Sequence, residues 1–365
     1  MKVDLIDLKH RYLDDHKHIL KSINKLLKKG NLVLTEEVKS FENKISSYTG
    51  MKYCLGLNSG TDALILSLWA LGIKKNDEVI TSPLSFIASG GAIAHIGAKP
   101  VFVDVNYDLN IDPNKIEAAV TKKTKAIMPV HWGGRVCKMD EIKLIAKNYK
   151  IPILEDAAQG MGAYYKNKHS GTFGEISAFS GHPLKNLGAI GDSGFIITNN
   201  IKLYEKIKLY RNHGLVDRDQ TKFFGINSRI DAVNAEVLSY RIRNLKSAIN
   251  KRNKNVKLYK KYLTTDKVFI PSNEKYEVNS YVMFLTLCEE RDNLQKYLSS
   301  HNIQSLVYYG RPLHLHNASK MYGYKRGDFP IAENICKKVL ALPHNQYLTE
   351  NQIKFVCSKI NNFYK

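Results

Sequence analysis

Cysteine is scarce and poorly spaced for pairing. The five cysteines of the 365-residue chain, Cys54, Cys137, Cys288, Cys336 and Cys357, are odd in number and form no Cys-x-x-Cys pair. That argues against a disulfide framework or a cysteine-built zinc site and fits a reducing compartment. Long apolar runs are missing too, so no segment offers the roughly 20 residues a membrane-spanning helix needs. The opening stretch, MKVDLIDLKHRYLDDHKHIL, alternates charge with apolar residues and does not read as a signal peptide. Low-complexity linkers and clear internal repeats are absent. Acidic residues are in deficit, with 34 Asp and Glu against 55 Lys and Arg, a formal net charge of +21. Such an excess suits nucleic acid, an anionic membrane or an anionic small substrate. The lysines are spread along the chain, however, in stretches such as KSINKLLKKG, KNYK and KKYL, and no RRM, KH, zinc-finger or basic-zipper signature accompanies them. The expectation is a soluble cytoplasmic protein with no metal and with neither nucleic acid nor membrane as partner.

What is present is enough apolar material for a sizeable core: 44% hydrophobic and 10% aromatic residues. The length suits a large domain followed by a smaller one. From about residue 50 to 200, short apolar strands alternate with helical stretches: LGLNSGTDALILSLWALGI, DEVITSP, SFIASGGAIAHIGA, KPVFVDV, KAIMPVHW, MDEIKLIAKNY and IPILEDAA. That alternation predicts a mostly parallel, helix-covered α/β sheet with the ligand site at the carboxyl ends of its strands. SGFIITNN follows ISAFS with no room for a crossover helix, so it is expected to run antiparallel. The run DAVNAEVLSYRIRNLKSAINKRNKNVKLYKKYL predicts a long continuous helix. Beyond it, VNSYVMFLTL and NIQSLVYY read as strands, and DNLQKYLSSHN, FPIAENICKKVLAL and TENQIKFVCSKINNFY as helices. A boundary near residue 250 divides a large domain, 1–250, with its helical N-terminal segment, from a small α+β domain, 251–365.

Polar clusters collect at the ends of the expected strands. NSGTDAL sets Gly60 and Thr61 at a helix start, where free N–H groups favour a phosphate, although an ordinary N-cap has the same look. In ILEDAAQG, Asp156 just past an apolar strand needs a cationic partner, which a pyridinium, a helix cap or a structural ion pair can each supply. Phe86 in SPLSFIAS suits ring stacking or core packing. FSGHPLKNLGAIGDSG places Lys185 among glycines that let a backbone come close to a ligand. Lys185 is either a solvated loop residue or, with its basicity depressed, a Schiff-base nucleophile. Taken together, the phosphate cup, aromatic, acid and lysine meet the needs of pyridoxal 5′-phosphate (PLP).

The chain resembles the DegT/DnrJ/EryC1/StrS family of sugar aminotransferases, from LVLTEEVKSFENKISSYTG to GDFPIAENICKKVLALP. The resemblance rests on NSGTDAL, SPLSFIAS, KPVFVDV, PVHWGGRVCKMDEI, ILEDAAQ, FSGHPLKNLGAIGDSG, RNHG and GINSRIDAVNAEVL, in family order. It implies a fold-type I PLP-dependent transferase with a mostly parallel seven-stranded sheet. It also implies that Lys185 holds the cofactor covalently and shuttles a proton, and that Asp156 keeps the ring nitrogen protonated. Gln159 would approach the ring hydroxyl, Phe86 would stack on the ring, and Gly60, Thr61 and Ser180 would hold the phosphate. Asn227 would reach the phosphate from a neighbouring subunit, making a homodimer with shared active sites. Arg229 meets either an anionic group such as the donor carboxylate, or Asp231 or Glu236 in a salt bridge. His182, Tyr308, Tyr309, Arg311 and His314 are candidate substrate contacts. The implied activity transfers an amino group from L-glutamate, or glutamine, to a keto-sugar. A nucleotide-linked keto-deoxysugar with a C3 ketone is the leading acceptor, and a free keto-sugar acid or an inosose the alternative. A sugar dehydratase of the same fold would carry histidine in place of Lys185. Gly181 stands where the family commonly has an aromatic, and Ser193 where it has glycine; neither change removes a catalytic group.

Overall fold

In the computed structural model, which describes residues 1–365, two helices lead into the sheet: α1 (Leu8–Lys29) and α2 (Glu36–Thr49). Strands β1 (Tyr53–Leu57), β2 (Glu78–Thr81), β3 (Lys99–Phe102), β4 (Thr124–Met128) and β5 (Leu154–Asp156) then alternate with helices α3 (Gly60–Ala70), α4 (Ile87–His95), α5 (Pro113–Ile116) and α6 (Met139–Tyr149). A small hairpin, β6 (Tyr164–Tyr165) and β7 (Lys168–His169), precedes β8 (Ile176–Ser180) and β9 (Gly194–Thr198). All residues of β2, β5 and β9 are buried, as strands covered on both faces should be.

One ladder has the order β3-β2-β4 with parallel pairing, and a second has the order β1-β9-β8-β5. In the second, β5 and β8 are parallel while β9 runs antiparallel to both neighbours, as the missing crossover helix predicts. Isolated parallel bridges, Ile127 to Ile153 and Val130 to Asp156, join the two ladders. The carboxyl end of β5, and with it Asp156, therefore lies at their junction.

After β9 come α7 (Ile201–Tyr210), α8 (Ala232–Arg241) and α9 (Leu245–Tyr262). The expected continuous helix is interrupted between α8 and α9 by a 3₁₀ turn at Ile242–Asn244. Helix α9 begins with Leu245 and Ile249 in the core beneath α2 and α8, and ends with Val256 and Tyr259 in the core of a second sheet. That sheet has the order β10-β12-β13, from β10 (Val268–Phe269), β12 (Phe284–Cys288) and β13 (Val339–Leu342). The intervening strand β11 (Glu277–Val278) instead pairs antiparallel with β6. Helices α10 (Arg291–Ser300), α11 (Pro330–Lys338) and α12 (Glu350–Phe363) complete the chain.

Two sequence expectations fail in this last third. Val339–Leu342 is a fully buried strand and not the end of a helix, because a continuous apolar run has no periodicity to separate the two. NIQSLVYY forms no ladder and makes only the bridges Val3 to Ile303 and Leu306 to Ala341. Tyr309 leaves the extended region altogether, with φ of 57°.

The turn between β1 and α3 is braced from below. Glu42 on α2 accepts the Gly56 N–H (2.9 Å) and an Arg211 N–H (2.6 Å), while Arg211 also donates to the Gly56 carbonyl (2.7 Å). Both side chains are buried, so removing one strands the other charge. Arg211→Met is expected to cost about 3 kcal/mol of stability, measurable as a lowered urea midpoint. An unchanged midpoint would show that Glu42 needs no partner.

Candidate active site

A cavity of about 450 Å³ opens where the strand ends meet the loop Leu306–Tyr309. Its walls include Gly60, Thr61, Phe86, Asp156, Gln159, Ser180, His182, Lys185, Tyr308 and Tyr309, all singled out from the sequence. Asn227, Arg229, Arg311 and His314 do not line it.

Each side chain arrives by a local cause. Ser59 caps α3 by accepting the Asp62 N–H (3.0 Å), and its carbonyl takes the Ala63 N–H. The first N–H groups of the helix, Gly60 and Thr61, are left for a ligand, since a helix start cannot bond them internally. The glycine at 60 is required: a Cβ there would stand 2.8 Å from that of Ser180. A side chain at Gly194, on β9, would collide with the Ser59 carbonyl. Phe86 precedes α4 with half its surface exposed and its ring 5.7 Å from that of Tyr309.

Neighbouring carboxylates on β5 have opposite fates, because alternate residues of a strand face opposite ways. Glu155 is fully buried and takes donors from His131 Nε2 (2.8 Å), the N–H groups of Gly171, Phe173 and Gly174 (each 2.7 Å) and the Ser177 hydroxyl (3.2 Å). Burial pushes its pKa up, but these donors outweigh that and hold it below the usual carboxylate value. His131 Nδ1 accepts the Cys137 N–H (3.3 Å), so the hydrogen that meets Glu155 sits on Nε2. Asp156 has fewer partners: the Ser89 hydroxyl (2.6 Å) and the Ala158 N–H (3.2 Å). Desolvation raises its pKa, and Ser89, Ala158, Lys185 and His131 offset this only in part.

Gln159 has a fixed orientation. Its Oε1 accepts both the Gly133 N–H (2.9 Å) and the Tyr308 hydroxyl (2.9 Å), and Tyr309 donates in turn to Tyr308 (3.1 Å). A backbone N–H can only donate, so the Gln159 NH₂ is the half left for the cavity. Burial drives the Tyr308 phenol well above its ordinary pKa and lifts Tyr309 to about 12; both are neutral donors at working pH.

Lys185 stays partly open to the cavity but is hemmed in by protein. Desolvation lowers its pKa to about 8, against the opposing pull of Asp156. Its loop is gripped from outside by Arg11, which donates to the carbonyls of Pro183 (2.9 Å) and Lys185 (3.4 Å). Desolvation lowers the pKa of His182 as well, and Lys185 adds to the effect.

Some expectations need correction. His314 is no cavity residue: it is buried against Phe329 and hydrogen bonded to Glu333 (3.1 Å), because Leu313 and Pro312 draw its turn inward. Arg229 pairs with neither Asp231 nor Glu236 but donates to Asn212 (2.8 Å). Asn227 is exposed and bridges to Asn212. Sequence reasoning missed Ser89, which sits one helical turn past Phe86 with nothing local to mark it, and the Arg11 contact, 172 residues from Pro183.

Comparison with known proteins gives a consistent set of matches. Residues 13–361 match the model of the DegT/DnrJ/EryC1/StrS aminotransferase family. The chain is 38% identical to a pleiotropic regulatory protein of Geobacillus stearothermophilus, over 100% of this chain and 99% of that protein. It is 36% identical to the dTDP-3-amino-3,6-dideoxy-alpha-D-galactopyranose transaminase of Aneurinibacillus thermoaerophilus, over 99% of each. Among solved structures, DesV of S. venezuelae, in complex with a ketimine intermediate, superimposes with a TM-score of 0.97 at 33% identity, over 100% of this chain and 99% of that one.

The depressed basicity of Lys185 gives a signed expectation. In the cofactor-free protein, acylation of Lys185, followed by peptide mass spectrometry, is expected to titrate with a midpoint near pH 8, whereas exposed lysines rise toward about 10.4. Asp156→Asn removes a charge that favours the ammonium, so the midpoint moves lower. Because the folded pKa is depressed, the charged amine costs the fold stability below about pH 8. Lys185→Met is therefore expected to raise the melting temperature of the cofactor-free protein at neutral pH, with the gain fading as pH rises toward the unfolded lysine value. A midpoint near that of surface lysines would refute the buried-amine account.

Proposed function

The chain belongs to the DegT/DnrJ/EryC1/StrS aminotransferase family, whose enzymes are PLP-dependent transaminases, and we propose that it moves the amino group of L-glutamate to a nucleotide-linked keto-deoxysugar. The observation that carries this reading is the one cavity in which Lys185, Asp156, Phe86, Gln159 and the amino end of α3 meet. These residues fit the cofactor. The Gly60 notch beside Ser180 would be filled by any side chain, the first N–H groups of α3 are free, and Asp156 is a buried carboxylate with no salt bridge of its own.

When bound, PLP supplies an electron-withdrawing ring that stores the amino group between two half-reactions. The chain's residues divide the remaining work. Gly60, Thr61 and Ser180 hold the phosphate, and Phe86 covers one ring face. Asp156 keeps the ring nitrogen protonated, and the Gln159 NH₂ donates to the ring hydroxyl. Lys185 Nζ anchors the cofactor, takes the proton from the α-carbon of the amino donor, and delivers one in the return half-reaction. An amine with a pKa of about 8 is suited to both directions near neutral pH. His182, Tyr308 and Tyr309 meet the acceptor sugar. The name of the Aneurinibacillus relative supports amination at C3. Lys185 itself speaks against the sugar dehydratase reading, and a free keto-sugar acid or inosose is the alternative acceptor. A role in amino-sugar or surface polysaccharide biosynthesis follows from the substrate class.

The working unit is read as a homodimer with shared active sites. Asn227 and Arg229 flank the cavity of the neighbouring subunit, on a loop whose Phe224 is 95% exposed. The two ladders joined through Val130 are read as a single seven-stranded sheet in a large domain, 1–250, with a small domain at 251–365. The cysteines are all free and buried, and no helix is long and apolar enough to cross a membrane; the cysteine usage supports a cytoplasmic site.

The PLP-loaded protein is expected to convert L-glutamate to 2-oxoglutarate in a single stoichiometric turnover, which Lys185→Ala abolishes. A panel of keto-sugars then identifies the acceptor that permits repeated turnover. No 2-oxoglutarate from the loaded wild type would reject glutamate as donor. Lys185→Ala and Asn227→Ala, each impaired alone, should regain about a quarter of wild-type activity when subunits are randomly mixed, the statistical value for a twofold dimer with shared sites. No recovery on mixing would place Asn227 in its own subunit's site or outside any site.

A further inference from the structure

Behind the Lys185 loop lies a second cavity, of about 290 Å³, whose lining includes Arg11, Asp14, Asp15, Arg241 and Lys251. The segment between them is a partition: Leu184 and Lys185 face the first cavity, and Asn186 and Leu187 the second. Three arginines grip its outer side. Arg11 bonds the carbonyls of Pro183 and Lys185, Arg241 that of Gly188, and Arg252 the Asn186 side chain.

Positive charge at this spot exceeds what the chain neutralises. Arg11 and Arg252 are only 8% and 6% exposed, yet neither has a carboxylate within ion-pair reach. Only Arg241 does, in Asp15 at 2.6 Å. Burial, with repulsion from Arg241, holds Arg11 down to about 10; burial, with repulsion from Arg11, holds Arg252 down to about 9. The guanidinium groups are also not fully used. Nε and Nη2 of Arg11 and Nη2 of Arg241 make no hydrogen bond within the chain and are not sealed from solvent. Buried cations without counter-charge are costly, and forked donors opening into a cavity match the oxygens of a phosphate.

We propose that this second cavity binds a small phosphate-bearing anion through the free edges of Arg11 and Arg241, with Lys251 at its rim. The site is separate from the cofactor's phosphate cup and independent of which amino donor or sugar the enzyme uses. Its occupant would bear directly on the carbonyls that set the path of the Lys185 loop.

The test is calorimetric titration of inorganic phosphate into the PLP-loaded protein, in which the cofactor's own phosphate site is filled. Wild type is compared with Lys251→Ala and Asp14→Asn, exposed residues on this cavity that make no hydrogen bond or ion pair with the Lys185 loop. Saturable binding is expected, roughly twofold to fivefold weaker in Lys251→Ala and tighter by a similar factor in Asp14→Asn. Absence of saturable binding to wild type overturns the proposal. So does an affinity that neither substitution changes, because the phosphate would then be bound elsewhere, for instance at the acceptor site. Glutamate turnover, measured separately, leaves this result unaffected either way.

Discussion

Two adjacent carboxylates at the end of β5 are buried, and the protein treats them differently. Glu155 receives five hydrogen-bond donors drawn from His131, the loop Gly171–Gly174 and Ser177. It is thereby kept ionised and immobile, and it pins the strand whose next residue is Asp156. Asp156 receives two donors and keeps an unmet demand for positive charge on its cavity side. The contrast is not a matter of residue type but of supply: one face of β5 meets a loop rich in N–H groups and the other meets open space. That demand pulls toward a charged Lys185, and desolvation of the amine outweighs it.

Much of this was legible in the sequence because the chemistry lies in short contiguous runs. NSGTDAL, SPLSFIAS, ILEDAAQ and the segment around Lys185 each sit at a strand end, and the strand-helix alternation brings strand ends together. The antiparallel course of β9 followed from arithmetic on loop length. What the sequence concealed was of two kinds. Val339–Leu342 and NIQSLVYY were misread because apolar continuity carries no period, and because the left-handed backbone at Tyr309 has no glycine to advertise it. Ser89, Arg11 and the Gln159–Tyr308–Tyr309 chain were missed because their partners are distant in sequence. His314 looked like a ligand residue beside two tyrosines that are cavity residues, yet its turn rolls into the core.

The lysine loop illustrates how such a site is kept in place. Its glycine-containing segment gives the cofactor room on the inner face. Its outer carbonyls are held by long side chains from helices remote in sequence, and Gly188, with φ of 60°, sits so close to the Arg11 guanidinium that any side chain would displace it.

Helix α9 is a mechanical part. Its 18 residues form a rod of about 27 Å, with one end sunk in the core beneath α2 and α8 and the other in the core of the β10-β12-β13 sheet. Neither core can melt without pulling apolar side chains of the same rod into water. The two ends of the molecule have separate sheets, but this rod and the core that Leu84, Phe102 and Trp132 share with Leu285, Leu287 and Val339 tie them into a common cooperative transition.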